Sequence, residues 1–319
     1  MVMTISIPKA LETPSGEEVE ALKARIAELK RQMNAIIVVH NYQRPEIQDI
    51  GDFVGDSLEL SRKCAEVSDI DVIVFCGVDF MAETAKIVNP SRTVLLSDAA
   101  ATCPMAAMID EVDLREWKAR YPDAAVVCYV NTTAAVKAES DICCTSANAV
   151  AVVNSLPNDE ILFVPDQHLA HWVSTQTTKR IIGYPGYCIT HQRLRPEHIL
   201  QARRRFPDAP IIVHPECAAG VVALADAVLS TSQMARYVRS SPATTFLVGT
   251  EMGLVYRMQK ENPDKTFYLL STGLICPNMK RTTLPRLVRT MEQRLNEITI
   301  PEDVRVRAVR AIDRMLAIG

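Results

Sequence analysis

The 319-residue sequence contains no run of about 18 apolar residues, the length that a helix needs to cross a bilayer. Its start also lacks the charged and apolar regions of a secretory signal. We therefore predict a cytoplasmic protein without a membrane segment. A surplus of positive charge is missing too, because 35 Lys and Arg residues face 38 Asp and Glu residues. The net charge of −3 argues against nucleic-acid and membrane partners and favours small-molecule substrates.

Cysteine pairs with the spacing of a compact metal-binding motif are also absent. The nine cysteines form no CxxC pair, and their odd number and wide spacing argue against a disulfide framework. We interpret them as buried thiols or metal ligands. The composition, 48% hydrophobic and 23% charged, is typical of a folded globular protein, and the chain is too long for one small core.

The chain contains an internal repeat. It begins with an amphipathic helix, predicted from Ser15 to Met33 with Ser15 and Glu18 as a capping box. Similar apolar strands then occur three times, each followed by a helix and two further apolar strands. Alternating strands and helices indicate parallel sheets in an α/β protein. We predict three domains around a pseudo-threefold axis: 1–115 with the N-terminal helix, 116–200, and 201–319 with C-terminal helices.

Each repeat carries one cysteine in the loop after its third strand. These cysteines, Cys103, Cys188 and Cys276, are separated by 85 and 88 residues. Because ligands bind beyond the carboxyl ends of parallel strands, the three loops are expected to meet at one site. Three thiolates suit a zinc ion with an open position, or a 4Fe-4S cluster in which one iron has no protein ligand. The other six cysteines are predicted to be buried thiols, with Cys217 the nearest to the site.

The helix after the first strand of each repeat opens with small hydroxyl residues. Asp56 and Ser57 start the first of these helices, Thr145 and Ser146 the second, and Ser230 with Thr231 the third. Such residues cap a helix, and a helix N-terminus also attracts anions. Their equivalent positions in the three repeats favour a role in binding an anionic substrate.

Seven segments together resemble the iron-sulfur quinolinate synthase family, in order and across nearly the whole chain after residue 34. They are HNYQ, GDS, YVNTTAAVKAESDICCTSANA, GYCITH, HPEC, STSQM and CPNMK. The resemblance implies three α/β/α domains and one 4Fe-4S cluster per chain, held by Cys103, Cys188 and Cys276, with the open iron as a Lewis acid. It also implies that iminoaspartate condenses with dihydroxyacetone phosphate to give quinolinate, phosphate and water in NAD biosynthesis. L-aspartate oxidase or aspartate dehydrogenase is the expected source of iminoaspartate.

The resemblance further implies which residues contact the substrates. The predicted substrate-binding residues are His40, Ser57, Tyr129, Val130, Asn131, Ser146, His214, Pro215, Glu216, Ser230, Thr231, Met279 and Lys280. We expect Glu216 to be the general acid or base, because histidines and a metal cluster can tune a carboxylate. Tyr42 and Tyr129 are expected to be proton donors, and His191 to orient a substrate carboxylate.

Two other functions remain open on the residues alone. One is a non-enzymatic iron-sulfur redox sensor, which is disfavoured because we find no DNA-binding helix-turn-helix pattern or basic face. The other is a zinc-dependent enzyme that uses the same three cysteines.

Overall fold

The computed structural model describes residues 16–318. Its first helix, α1 (Gly16–Gln32), confirms the predicted amphipathic helix and buries Ile26 and Leu29. The predicted cap Ser15 lies outside the described residues.

Three similar units follow one another along the chain. The first contains β1 (Ala35–His40), α2 (Pro45–Gln48), β2 (Phe53–Gly55), α3 (Ser57–Glu66), β3 (Val72–Cys76), α4 (Asp79–Val88) and β4 (Thr93–Leu96). The second contains α5 (Glu111–Arg120), β5 (Ala125–Tyr129), α6 (Ala134–Ala138), β6 (Ile142–Cys144), α7 (Ala149–Ser155), β7 (Glu160–Val164), α8 (Gln167–Ser174) and β8 (Arg180–Gly183). The third contains α9 (Pro196–Arg205), β9 (Ile211–Val213), α10 (Ala219–Val222), β10 (Ala227–Val228), α11 (Thr231–Ser240), β11 (Thr245–Gly249), α12 (Gly253–Glu261) and β12 (Thr266–Leu269). Two helices follow, α13 (Leu284–Gln293) and α14 (Glu302–Leu316).

Within residues 16–318 the strands form three four-stranded parallel sheets with one topology. The orders are β2-β1-β3-β4, β6-β5-β7-β8 and β10-β9-β11-β12. Helices flank each sheet, which confirms the predicted α/β class with three similar α/β/α units. The sequence analysis missed the edge strands β2, β6 and β10, which have only two or three residues and are too short to show a hydrophobic pattern.

The C-terminal helices pack on the earlier units. Helix α13 lies against α1 and β4, where Leu284, Leu287 and Met291 enter the core of the first sheet. Helix α14 packs on α6 and β6 of the second unit and buries Ala311 and Ile312. Both helices therefore tie the end of the chain to the first two units.

The connections between units are helical. The predicted domain boundaries at 115/116 and 200/201 fall inside α5 and α9. Trp117 of α5 packs edge-on against Tyr184, at a ring distance of 5.3 Å, so α5 belongs to the packing of the second unit. Among residues 16–318, none of the helices is both long and apolar enough to cross a membrane.

Candidate active site

The carboxyl ends of the three sheets face one cavity, which is lined by residues of all three units. Each unit contributes the residues that follow its first strand and its cysteine loop. The predicted site residues that line this cavity are His40, Tyr42, Ser57, Cys103, Tyr129, Asn131, Ser146, Cys188, His191, His214, Glu216, Thr231, Cys276 and Met279.

The three cysteines occupy equivalent positions in the cavity wall. Each is partly buried, and a short 3-10 turn begins three residues after it. Burial raises the pKa of Cys103 to about 12 and also raises the pKa of Cys188 and Cys276. At each sulfur, a hydrogen bond from the backbone N–H of the residue three positions later lowers the thiol pKa. These donors are Ala106, His191 and Met279.

This environment fits a metal centre. The thiols are uncharged without metal, and binding a metal as thiolates would release their protons. Backbone N–H groups that face the sulfurs stabilise thiolate charge, as they do around iron-sulfur clusters. A second candidate donor set shares one thiol with the first: ligand atoms of Cys188, His191 and Glu216 all lie within 4.8 Å of one another.

Glu216 is the centre of a buried hydrogen-bond network. Its Oε2 lies 2.7 Å from His191 Nδ1, and its Oε1 accepts a hydrogen bond of 2.8 Å from the Tyr129 hydroxyl. Burial raises the pKa of Glu216, but His214 and His191 and the hydrogen bonds from His191 and Tyr129 outweigh it, so the net shift is downward. The carboxylate is therefore ionised at neutral pH. Asn131 Nδ2 lies 3.5 Å from Oε1.

Thr250 extends this network and was missed in the sequence analysis. It is fully buried, and its Oγ1 lies 2.9 Å from His191 Nε2 and 2.7 Å from the Tyr42 hydroxyl. One hydroxyl thus joins His191 to Tyr42, since Oγ1 can donate to one of them while it accepts from the other. Thr250 directly follows β11. Because ligands bind beyond the carboxyl ends of parallel strands, its position in the sequence could have identified it as a site residue.

The strand-end histidines are held by the backbone. His40 Nδ1 accepts from the Tyr42 N–H at 3.2 Å, and His214 Nδ1 accepts from the Glu216 N–H at 3.3 Å. Each imidazole therefore carries its proton on Nε2. Burial lowers the pKa of both histidines to about 3, so they are neutral. The Nε2 of His214 lies 3.2 Å from Ser146 Oγ.

The predicted helix starts are correct in two units and differ in the third. Asp56 caps α3 and Ser230 caps α11, which makes Ser57 and Thr231 the first residues of their helices. In the second unit α7 begins later, after Asn148. Ser146 thus lies in the turn before the helix rather than at its cap, although it still faces the cavity.

Four predicted site residues lie behind the cavity wall. They are Val130, Pro215, Ser230 and Lys280, all buried. The ammonium group of Lys280 is 2.9 Å from Glu251 Oε1 and also donates to the carbonyl of Tyr42. Lys280 therefore neutralises a protein carboxylate here. The cavity is also lined by Asp56 and Thr145, named above at helix starts, and by Thr102, Thr190 and Glu251, which the sequence analysis did not select. Thr190 Oγ1 has no partner within the described residues.

These features define an α/β enzyme whose active site is shared by three units and combines three thiols with a buried acid-base network. The family described as Quinolinate synthetase A protein matches residues 24–317, and the chain belongs to this family.

Several similar proteins are named quinolinate synthase. The protein of Dehalococcoides mccartyi strain CBDB1 is 55% identical over 299 residues, which cover 94% of this chain and 99% of the relative. That of Thermodesulfovibrio yellowstonii is 52% identical, over 92% of this chain and 97% of its own. The protein of Methanoregula boonei is 51% identical, over 95% of this chain and all of its own. These findings confirm the resemblance seen in the motifs.

Proposed function

We propose that this protein condenses iminoaspartate with dihydroxyacetone phosphate to give quinolinate, phosphate and water, for NAD biosynthesis. Family membership supports the product. The observation that carries the proposal is that one cavity combines three equivalent thiols with the network of Tyr129, Glu216 and His191.

We assign Cys103, Cys188 and Cys276 as the ligands of one 4Fe-4S cluster per chain. Their sulfurs line a single cavity and accept backbone N–H groups, and three ligands leave one iron open. When bound, such a cluster supplies a Lewis acid that polarises a substrate oxygen.

Neutral donors hold the anionic substrates in this proposal. Among residues 16–318, no Lys or Arg side chain lines the cavity. Ser57 and Thr231 instead place two helix N-termini at its wall, where free N–H groups and the helix dipole favour anions. The Nε2 protons of His40 and His214 and the amide of Asn131 supply further donors, and Thr190 supplies an unpaired hydroxyl.

Glu216 is the proposed general base. Glu216 is ionised, and it contacts the imidazole of His191 and the hydroxyl of Tyr129, which both line the cavity. A proton taken from the substrate by either group can therefore pass to the carboxylate. Burial raises the pKa of Tyr42 and Tyr129 well above the usual value. Both hydroxyls therefore keep their protons at neutral pH. The Tyr129 hydroxyl donates to Glu216 and the Tyr42 hydroxyl is bonded to Thr250. A hydrogen bond from the Tyr129 hydroxyl to a substrate oxygen therefore requires that its proton leave Glu216.

The test is anaerobic purification followed by metal analysis and an assay of the same sample. We expect about four irons and four sulfides per chain, and quinolinate from dihydroxyacetone phosphate with freshly generated iminoaspartate. Cys188→Ser is the matched negative control. A colourless protein with one zinc would instead favour the zinc enzyme that uses the same three cysteines.

We further infer that the protein acts in the cytoplasm beside a source of iminoaspartate, either L-aspartate oxidase or aspartate dehydrogenase. A coupled assay tests this point: either enzyme, given aspartate and its oxidant, should replace chemically generated iminoaspartate and sustain quinolinate formation.

A further inference from the structure

The three cysteine loops are attached to their sheets by one repeated backbone contact. In each unit, a backbone amide shortly after β3, β7 or β11 donates to the carbonyl oxygen of the residue two positions before the cysteine. The contacts are Asp79 N to Ala101 O at 2.9 Å, Gln167 N to Gly186 O at 2.8 Å, and Met252 N to Leu274 O at 2.9 Å.

A carboxylate at this amide's residue, in the first unit, or one residue before it, in the other two units, lies near the amide of the cysteine itself. Asp79 Oδ1 accepts from Cys103 N at 3.1 Å, and Glu251 Oε1 accepts from Cys276 N at 3.0 Å. In the second unit Asp166 is fully buried; burial raises its pKa strongly, and the backbone N–H of Cys188 is among the groups that act against this shift. Its Oδ1 is taken up by the amides of His168 and Leu169, and its Oδ2 has no hydrogen-bond partner among the described residues.

The same carboxylates also hold the start of the next helix. Asp79 accepts from Phe80 N, Asp166 from His168 N and Leu169 N, and Glu251 from Gly253 N, all at 2.7–2.9 Å. Each carboxylate thus joins a strand end, a helix start and a cysteine loop. Asp79 and Asp166 do not line the cavity. Glu251 does, but its carboxylate is paired with Lys280.

Resting on the function proposed above, we propose that Asp79, Asp166 and Glu251 form a cysteine-loop clamp that positions the three metal-binding thiols. Asp79 and Glu251 fix the backbone amide of their cysteine directly. Asp166 holds the helix start whose Gln167 amide binds the Cys188 loop at Gly186, so that each sulfur faces the cavity. None of the three is a metal ligand or touches the substrates. They are positioning residues, comparable to the outer groups that orient the ligands of other metal sites.

The clamp also affects the hydrogen bonds that reach the metal-binding site. By taking up the cysteine amides, Asp79 and Glu251 keep these N–H groups from donating to the cluster. Net charge and hydrogen bonds both set the reduction potential of an iron-sulfur cluster, so the clamp should keep this potential low.

The test compares single variants of the anaerobically purified, cluster-loaded protein. Asp79→Ala, Asp166→Ala and Glu251→Ala should lose iron to the chelator bathophenanthroline disulfonate at least about 10-fold faster than wild type, because outer groups typically contribute this much to metal affinity. The matched control is Asp110→Ala. This carboxylate also accepts two helix-start amides, from Val112 and Asp113, but contacts no cysteine loop. It should lose iron at the wild-type rate.

Conservative variants separate positioning from general folding. Asp79→Asn and Glu251→Gln keep an oxygen that can accept the cysteine amide, so their iron loss should be close to wild type. Each removes one negative charge, so the cluster potential measured by spectroscopic titration should rise. A purely structural role would leave this potential unchanged.

The outcomes distinguish the clamp from the proposed function. Wild-type iron retention in all three Ala variants, or an unchanged potential in both conservative variants, would overturn the clamp while a cluster in the wild-type protein still supports the function. A wild-type protein that assembles no iron-sulfur cluster would instead contradict the function and, with it, the clamp.

Discussion

His191 Nδ1 lies 2.7 Å from Glu216 Oε2, and this contact joins the second unit to the third. Tyr129, also of the second unit, donates to the other oxygen of the same carboxylate. All three side chains are buried. The acid-base group therefore forms only when these two units are packed together, which explains why the site requires the whole chain.

Glu216→Gln should reduce turnover by about 100-fold or more, because it removes the titratable group and keeps the size of the side chain. Quinolinate formation is measured beside the iron content of the same sample. The iron content should stay at the wild-type level, since three cysteines hold the metal in our proposal. Near-normal turnover would transfer the acid-base role to Tyr42, Tyr129 or His191.

Replacing any one of Cys103, Cys188 and Cys276 with Ser should abolish cluster assembly, because each supplies one of only three thiolates. Iron and sulfide analysis measures this effect. Cys64→Ala is the control, since Cys64 is fully buried in the core of the first unit. It should keep its iron and lose about 1 kcal/mol of stability from packing. A Cys188→Ser protein with four irons and normal turnover would contradict the ligand assignment.

The sequence repeat was sufficient to predict the three units and the meeting of the cysteine loops. Residues at matching positions of a sequence repeat occupy matching positions in the repeated fold. Cys103, Cys188 and Cys276 accordingly line the same cavity. The predicted helix start was correct where the capping residue directly precedes the predicted hydroxyl residue, as Asp56 precedes Ser57 at the start of α3. The later start of α7 depends on Asn148, whose side chain makes no capping hydrogen bond with the helix and so leaves no clear signal.

Contacts between polar side chains that lie far apart in the sequence could not be predicted in this way. Lys280 follows Cys276 closely and was expected to bind an anion of the substrate, but it pairs with Glu251. Thr250 and Glu251 directly follow β11, a strand that the sequence pattern predicted. Their side-chain partners, however, are distant in the sequence: His191 and Tyr42 for Thr250, and Lys280 for Glu251. Tertiary packing chooses among such polar residues, and spacing along the chain does not record that choice.

Thr250→Val should lower turnover by about 10-fold or more, because the threonine hydroxyl no longer holds His191 and Tyr42 in position for proton transfer. It keeps the shape of the side chain but removes the bonds to His191 and Tyr42. The buried His191 Nε2 then has no partner, which should cost about 1–3 kcal/mol of stability. Thr250→Ser keeps the hydroxyl and should restore most of the turnover. Equal kinetics in the Val and Ser variants would show that the hydroxyl has no part in the reaction.

Ser57→Ala and Thr231→Ala should weaken the binding of the anionic substrates, each by about 1–3 kcal/mol if a charge-assisted hydrogen bond is lost. The cluster should stay intact, because neither residue contacts a cysteine loop in the structure. Apparent substrate affinities from initial rates measure the effect. Ser155→Ala is a surface control, since Ser155 ends α7 with a bond to Val152 O. Unchanged affinities in both test variants would restrict these hydroxyls to helix formation.

His40 should make the iron-free protein less stable at acid pH. Burial lowers its pKa to about 3, against about 6.5 in an unfolded chain. Between these values the unfolded state binds one more proton than the folded state, so stability rises with pH and is lost as the pH falls below 6.5. From pH 7.5 to pH 5 this one group should cost about 2 kcal/mol.

His40→Asn isolates this contribution, because its amide oxygen can still accept from the Tyr42 N–H while its side chain does not titrate. Urea unfolding at both pH values gives the free energies of unfolding. Other buried groups, such as His214 and Asp166, titrate equally in both proteins, so their effects cancel in the comparison. Wild type should lose about 2 kcal/mol more than the variant between pH 7.5 and pH 5. Equal losses would mean that His40 can take up a proton without leaving its place beside Tyr42, and hence that it is not held neutral for substrate binding.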